Sequence, residues 1–362
     1  MKSTKDMKGF NLGTPSMDQI RPRLEAIPRT TPILQIRDLS VGYASRRAIA
    51  EAVTGVDLDV ETGEILGLVG ESGCGKTTMA IALLGLIEPP GIIRSGTAML
   101  RLRDSAVQDL LSIEPALQRQ IRWREIAYIP QGAMSALNPV LRISRQMTDT
   151  LIEHGLSPAE ALDRARWSLR LVNLDPAVLD KYPHELSGGM TQRVAIAMAI
   201  TLQPSVLLAD EPTTALDVVT QRSILQELVK IRENFGTTIL LITHDMAVIA
   251  QTVDRVAVMY AGRVVEIGYV HDIFAAPMHP YTQRLIDSIP RATGERLIGL
   301  AGESPSPWRL PPGCRFHPRC PHVMEICRSE VPPLVERRSG QRVACHLQDV
   351  REATIYGRTL AR

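Results

Sequence analysis

The chain has 362 residues, 44% hydrophobic and 22% charged, enough for two domains or for one large domain with an appendage. Its 25 Gly and 25 Pro are close to average usage, which excludes a collagen-like or low-complexity chain. Lys and Arg number 41 against 39 Asp and Glu, a net charge of +2, too small for the basic footprint of a nucleic-acid binder.

Residues 1–32 read as a flexible polar arm. Their start, MKSTKDMKGFNLGTPSMDQIRPR, has neither the apolar core nor the small-residue cleavage site of a secretory signal. No apolar run in the chain approaches the roughly eighteen residues of a membrane-spanning helix, so the expected location is the cytosol. From Ile33 the sequence alternates as strands do (ILQIRDLSVGY, then AVTGVDLDV), and EILGLVG has the length of a buried strand. A Gly-rich turn follows, then TTMAIALLGLI, a predicted helix stopped by Pro89-Pro90.

From about 105 to 190 the chain reads mainly as helices. In SPAEALDRARWSLRLVNL, Ser157 is placed as an N-cap, Pro158 at the first helical position and Glu160 three residues after the cap. Two short apolar runs, SVLLAD and TTILLITH, each follow a helical stretch, and DRVAVMYAGRVVEIG comes after them. This rhythm predicts an α/β fold with a mostly parallel sheet covered on both faces. The composition changes near Ala275 to a tail rich in Pro, Arg and Cys, which holds four of the five cysteines.

Gly70-Glu71-Ser72-Gly73-Cys74-Gly75-Lys76-Thr77 fits G-x-x-x-x-G-K-[ST] between a predicted strand and a predicted helix, the setting a P-loop requires. Glycines let successive backbone N–H groups curl round a β-phosphate, and the helix opening at Gly75 adds its positive end. Lys76 reaches the β- and γ-phosphates, and the Thr77 hydroxyl ligates Mg²⁺. Cys74, near a helix N-terminus, has two readings: a small residue at a variable position, or a thiol of depressed pKa whose oxidation blocks nucleotide. Val206 to Ala209 lead into Asp210, placed to hold Mg²⁺ at the end of a buried strand, and Glu211, placed to orient or deprotonate the attacking water. Leu186-Ser187-Gly188-Gly189-Met190 starts a further predicted helix with a hydroxyl, free N–H groups and a dipole, a second anion site. One P-loop leaves that site surplus unless it completes the nucleotide site of a partner in a head-to-tail pair.

With these motifs in place, residues 33 to about 345 resemble the ATP-binding subunit of an ABC transporter. The resemblance implies a P-loop NTPase (RecA-like) core over 33–270, with a β-subdomain and a helical subdomain inserted at about 105–190. It implies that Tyr43 stacks on adenine, that Gly70 to Thr78 form the P-loop and that Gln131 senses Mg²⁺ and the membrane partner. It also implies that Leu186 to Met190 are the signature, that Asp217 lies in the loop crossing the dimer and that His244 contacts the γ-phosphate. Catalysis would then rest on Glu211, His244 and Lys76. Two positions depart from the family pattern: Gly132-Ala133 follow Gln131 where an acidic residue is common, and Thr191 follows the signature where a basic or amide residue is common.

The tail, MHPYTQRLIDSIP at 278–290 followed by PPGCRFHPRCPHVMEIC and VACH, is similar to the C-terminal extension of oligopeptide and dipeptide permease ATPases, here 271–362. Its Cys314, Cys320, Cys327 and Cys345 have the spacing C-x5-C-x6-C-x17-C. On the residues alone, zinc, an iron–sulfur cluster and no metal all stay open, with His317, His322 and His346 able to replace a Cys. The resemblance implies a [4Fe-4S] cluster, with Zn²⁺ as the alternative. The expected cofactors are thus ATP, Mg²⁺ and the cluster. The expected partners are a paralogous ATP-binding subunit, two membrane-spanning permease subunits and, indirectly, an extracytoplasmic solute-binding protein, with no nucleic acid. The expected place is the cytoplasmic face of the inner membrane, where the chain energises import of di- and oligopeptides, or of nickel, glutathione or an opine-like solute by the same machinery. The rival is a soluble ABC ATPase acting on nucleic acid or ribosomes; the short stretch between Thr77 and Leu186 and the single ATPase unit speak against it.

Overall fold

The computed structural model describes residues 31–349 apart from 47, 133–135 and 290–301. The expected N-terminal arm lies outside the described residues except for its last two.

Two sheets organise the chain. The first is antiparallel, in the order β2 (Ile49–Glu61), β1 (Pro32–Ala44), β4 (Gly91–Arg101) and β5 (Val107–Asp109). The second has eight strands among the described residues. Its parallel part runs β9 (Arg255–Tyr260), β3 (Ile65–Val69), β8 (Thr238–Thr243), β7 (Val206–Asp210) and β6 (Ile126–Ile129). Beyond β9 it continues antiparallel through β10 (Arg263–Tyr269), β12 (Gln341–Val343) and β11 (Val335–Arg338).

Every residue of β3, β7 and β8 is buried, the outcome expected of unbroken apolar runs in a sheet covered on both faces. Because side chains alternate across a strand, each face feeds its own core. Ile65, Leu207, Ile239 and Leu241 face one cluster with the helical layer, whereas Leu66, Leu208, Leu240 and Ile242 face the other with the antiparallel sheet. Helix α1 (Lys76–Leu83) lies on the second side, burying Met79 and Leu83. On the first side lie α2 (Ile143–Glu153), α3 (Pro158–Leu171), α4 (Gly188–Ile200), α5 (Val218–Phe235) and α6 (Met246–Thr252).

The capping box that opens α3 forms as the sequence predicts. Glu160 N–H donates to Ser157 Oγ and Ser157 N–H donates to Glu160 Oε2. The mainly helical stretch 105–190 also contributes β5 and the edge strand β6, whose IAYI is too short to register a period of two between helical signals. Two expectations need correction. The helix after the P-loop stops at Leu83, ahead of Pro89, because Gly85 adopts a left-handed φ of 61°. The tail is not simply appended, because β12 pairs with β10 through Glu266–Val343 and Ile267–Arg342. No helix among the described residues is long and apolar enough to cross a membrane.

Candidate functional site

The P-loop connects β3 to α1. Two of its glycines are required by space. A Cβ on Gly75, whose φ is 106°, would stand 2.2 Å from Ala52 O, and one on Gly70 would stand 2.1 Å from Met259 O. Ser72 and Gly73 are exposed, and Thr78 lies one residue into the helix after Thr77. Lys76 is buried, and its Nζ donates to Gly70 O at 2.7 Å and Glu71 O at 3.0 Å. The Cys74 thiol lies 3.8 Å from that ammonium, yet burial pushes its pKa up and Lys76 only partly offsets this. The depressed-thiol reading of Cys74 is therefore corrected; the residue fills a tight, water-poor turn as a small apolar group.

Strands β7 and β8, neighbours in the sheet, deliver Asp210, Glu211 and His244 to the same sheet end as the P-loop. Asp210 is fully buried; its Oδ2 accepts from Tyr128 OH at 3.1 Å and the Thr77 side chain sits against it. Burial raises its pKa, partly countered by Thr77, Tyr128 and the Lys76 charge. Its Oδ1 is buried without a hydrogen-bond partner, a carboxylate oxygen suited to a cation beside Thr77. These residues thus fit Mg²⁺.

Glu211 is the hub. Gln131 Nε2 donates to its Oε2 at 2.9 Å, Thr214 Oγ1 donates to the same oxygen at 2.9 Å, and His244 Nδ1 lies 3.0 Å from Oε1. Burial alone would raise its pKa, but the hydrogen bonds with His244 and Thr214, aided by Lys76, hold it below the usual carboxylate value. At φ 45°, Glu211 also has the left-handed backbone that residues bearing a Cβ rarely adopt.

Other expected residues stand elsewhere. Tyr43 lies on β1 between Ala50 of β2 and Gly91 of β4. Ser187 caps α4, its Oγ accepting from Met190 N–H, with Leu186 before it and Gly188 and Gly189 forming the first turn. A Cβ on Gly189 would meet Thr220 at 2.8 Å, so this turn packs on the start of α5. Asp217 caps that helix, its Oδ1 accepting from Val219 and Thr220 N–H. Among the described residues no hydrogen bond or ion pair joins Leu186 to Gly189 with the P-loop. Sequence reasoning missed Tyr128 and Thr214. Thr214 sits three residues after Glu211, a spacing that could have flagged it, while Tyr128 was hidden with β6.

In the tail, Cys314, Cys320, Cys327 and Cys345 line one small cavity together with His317, His322, His346 and His279. Burial, with the neighbouring thiols adding to it, pushes Cys314 up to about 11 and Cys345 up to about 12. Among the described residues no three His, Cys, Asp or Glu side chains stand together as a ligand set for a metal ion. His279 gives a second observation. Its Nδ1 accepts from Tyr281 N–H at 3.0 Å, so the proton of the neutral ring is on Nε2. Burial drives its pKa down to about 3, and Nε2 has no partner.

Comparison with known proteins adds independent findings. Residues 53–214 match the family model described as ABC transporter, and 265–327 match that of the oligopeptide/dipeptide transporter C-terminal region. A dipeptide transport ATP-binding protein, DppD, of Caldanaerobacter subterraneus subsp. tengcongensis is 41% identical over 322 residues, 88% of this chain and 97% of that protein. The oligopeptide transport ATP-binding protein OppD of Escherichia coli is 42% identical over 318 residues, 86% of this chain and 92% of its own. Among solved structures, the ATP-binding cassette MJ0796, a dimer in a post-hydrolysis state bound to ADP and Pi, superposes with a TM-score of 0.58 at 28% identity, covering 66% of this chain and 98% of that one.

Proposed function

The chain belongs to the ATP-binding subunits of ABC transporters, in their oligopeptide and dipeptide branch, and from that membership we propose that it hydrolyses ATP to energise uptake of di- and oligopeptides across the cytoplasmic membrane. The observation that carries the mechanism is the convergence of Gln131, Thr214 and His244 on Glu211, one residue from the half-satisfied carboxylate of Asp210.

In this reading Lys76 and the P-loop amides hold the phosphates of ATP. Thr77 and Asp210, with Gln131 nearby, hold Mg²⁺, which supplies charge neutralisation at the phosphate oxygens. Glu211, kept ionised, orients the attacking water and accepts its proton, while His244 fixes the carboxylate and reaches the γ-phosphate. Tyr43 stacks on adenine. Leu186 to Gly189 and Asp217 complete the site of a partner subunit. The dimeric state of MJ0796 supports that head-to-tail arrangement. The partner we propose is a paralogous ATPase. The pair docks through the Gln131 region on two membrane-spanning subunits at the cytoplasmic face, and an extracytoplasmic binding protein selects the solute. The divisions proposed are an ATPase domain over 33–270 and an extension over 271–362.

For the tail we propose a [4Fe-4S] cluster. Four thiols lining one cavity are the donor type such a cluster takes, with Zn²⁺ as the alternative. The unpartnered His279 Nε2–H is a donor suited to anionic sulfur at that cavity. Iron and acid-labile sulfide on anaerobically purified protein test this; stoichiometric zinc without sulfide would overturn it.

The function is tested by uptake of labelled di- and oligopeptides in cells lacking this subunit, complemented with wild type or Glu211→Gln. Rescue by wild type alone is the expected result. Unchanged peptide uptake on deletion, with ATPase intact in the pure protein, would reject the peptide cargo.

A further inference from the structure

The first residue variable in the P-loop pattern, Glu71, is engaged from the far end of the chain. Arg319 Nη1 donates to Glu71 Oε2 at 2.8 Å and Nη2 donates to Oε1 at 2.9 Å, a bidentate fork that fixes the carboxylate in both position and plane. Ser304 Oγ donates to the same carboxylate, and Arg319 Nη1 also reaches Tyr260 OH at 3.2 Å. The backbone of Glu71 is held as well, since its N–H donates to Tyr281 OH at 2.9 Å. Tyr281 cannot drift: it is fully buried, and its ring packs on Tyr260 and Phe316 with centroids 4.6 and 5.5 Å apart.

The Arg319 side chain is only 7% exposed, so its pairing is screened far less than a surface ion pair would be. The backbone carbonyl of the same residue, Glu71, accepts from Lys76 Nζ. Side chain, N–H and carbonyl of Glu71 are thus each tied, two of them to the tail and the third to the lysine of the phosphate loop.

We infer that Arg319 is a positioning residue for nucleotide binding, which holds the first turn of the P-loop in its binding geometry by clamping Glu71 from the cysteine-rich segment. A phosphate cradle of backbone amides binds well only if ordered beforehand, because a loop that must order on binding loses affinity by that cost. Loss of the clamp should therefore act on ground-state binding, raising Kd and KM together and leaving turnover at saturation nearly unchanged.

The inference rests on the P-loop being the ATP site, and the test separates the two. In the full-length chain, Mg-ATP affinity is measured by titration with a fluorescent ATP analogue, alongside KM and kcat, for wild type, Arg319→Met, Arg319→Lys, Glu71→Gln and the double variant Arg319→Met/Glu71→Gln. Arg319→Met and Glu71→Gln should each weaken binding by about tenfold, and Arg319→Met, which lies outside the phosphate loop, should leave kcat within about twofold. The double variant should be no weaker than either single, and Arg319→Lys should recover part of the loss. Wild-type affinity in a folded single variant, or losses that multiply in the double, would overturn the clamp. If Arg319→Met does not fold, Glu71→Gln decides, since it breaks the fork and leaves the tail sequence intact. No binding by wild type would instead reject the nucleotide reading itself.

Discussion

Glu211 is the point on which the hydrogen bonds of the site converge, and those partners argue that an amide should not replace it in the role proposed for it. The carboxylate accepts hydrogen bonds on both oxygens, whereas glutamine offers one acceptor and no proton affinity near neutrality. Glu211→Gln should keep ATP affinity while slowing hydrolysis by about a hundredfold or more; single-turnover measurements in which hydrolysis stays near normal would remove the carboxylate from its role. A second residue-scale prediction concerns Glu64. Burial raises its carboxyl from 4.5 to about 7, despite the Arg255 charge and the Glu61 N–H that pull it down. The folded state holds this proton more tightly than the unfolded one. Its contribution is complete below about pH 4.5 and is lost as pH rises through about 7. Glu64→Gln should accordingly flatten the fall in Tm between about pH 5 and about pH 8; an unchanged slope in thermal melts would contradict it. At this scale Gly70 to Thr77, Asp210 and Glu211 were legible because each motif has a fixed spacing. Arg319 was not, because nothing local in the sequence links it to Glu71.

Among the elements, those that bury a continuous apolar run announced themselves. Strands β3, β7 and β8 are inaccessible on both faces, so their interiors are apolar and polar residues fall only at the ends of β7 and β8. Strand β6, with four residues, and β11, whose sequence is VERR, gave no such signal; pairing to longer neighbours makes them strands. Helix α3 was legible from its start, where Ser157 and Glu160 satisfy backbone donors reciprocally. Ser157→Ala should cost about 1 kcal/mol of stability, readable as a lower urea midpoint with an unchanged slope. A glycine does comparable work at the head of α1. Gly75→Ala would force a Cβ to 2.2 Å from a backbone oxygen at a left-handed φ, and should abolish ATP binding in the full chain by displacing the loop from Ala52. Normal affinity in that variant would mean the turn can be rebuilt without its glycine.

For the molecule as a whole, the sheet decides how separable the parts are. Glu266 on β10 is buried and accepts from Met278 N–H, His279 N–H and Gln341 Nε2, all from the region expected to be an extension. A chain ending at residue 289 would lose β11 and β12, leave β10 as an open edge and strip Glu266 of the Gln341 contact. Open, apolar edges recruit other chains, so the truncated protein should self-associate in light scattering. A monodisperse truncation with the Tm of the full chain would make the tail dispensable to the fold. The sequence marked where the tail begins by composition, but not that its strands complete the sheet, because such pairing is written in backbone hydrogen bonds rather than in side-chain pattern.

The 248-position separation of Glu71 and Arg319 along the chain also sets an order in time. At roughly 5–20 residues per second, the ribosome delivers the guanidinium some tens of seconds after the loop it grips. The nascent chain therefore exposes its phosphate loop before that grip exists. If the proposed clamp holds, the loop of an ATP-binding subunit assembled in this order gains full affinity for its fuel only after the segment carrying Arg319 has left the tunnel.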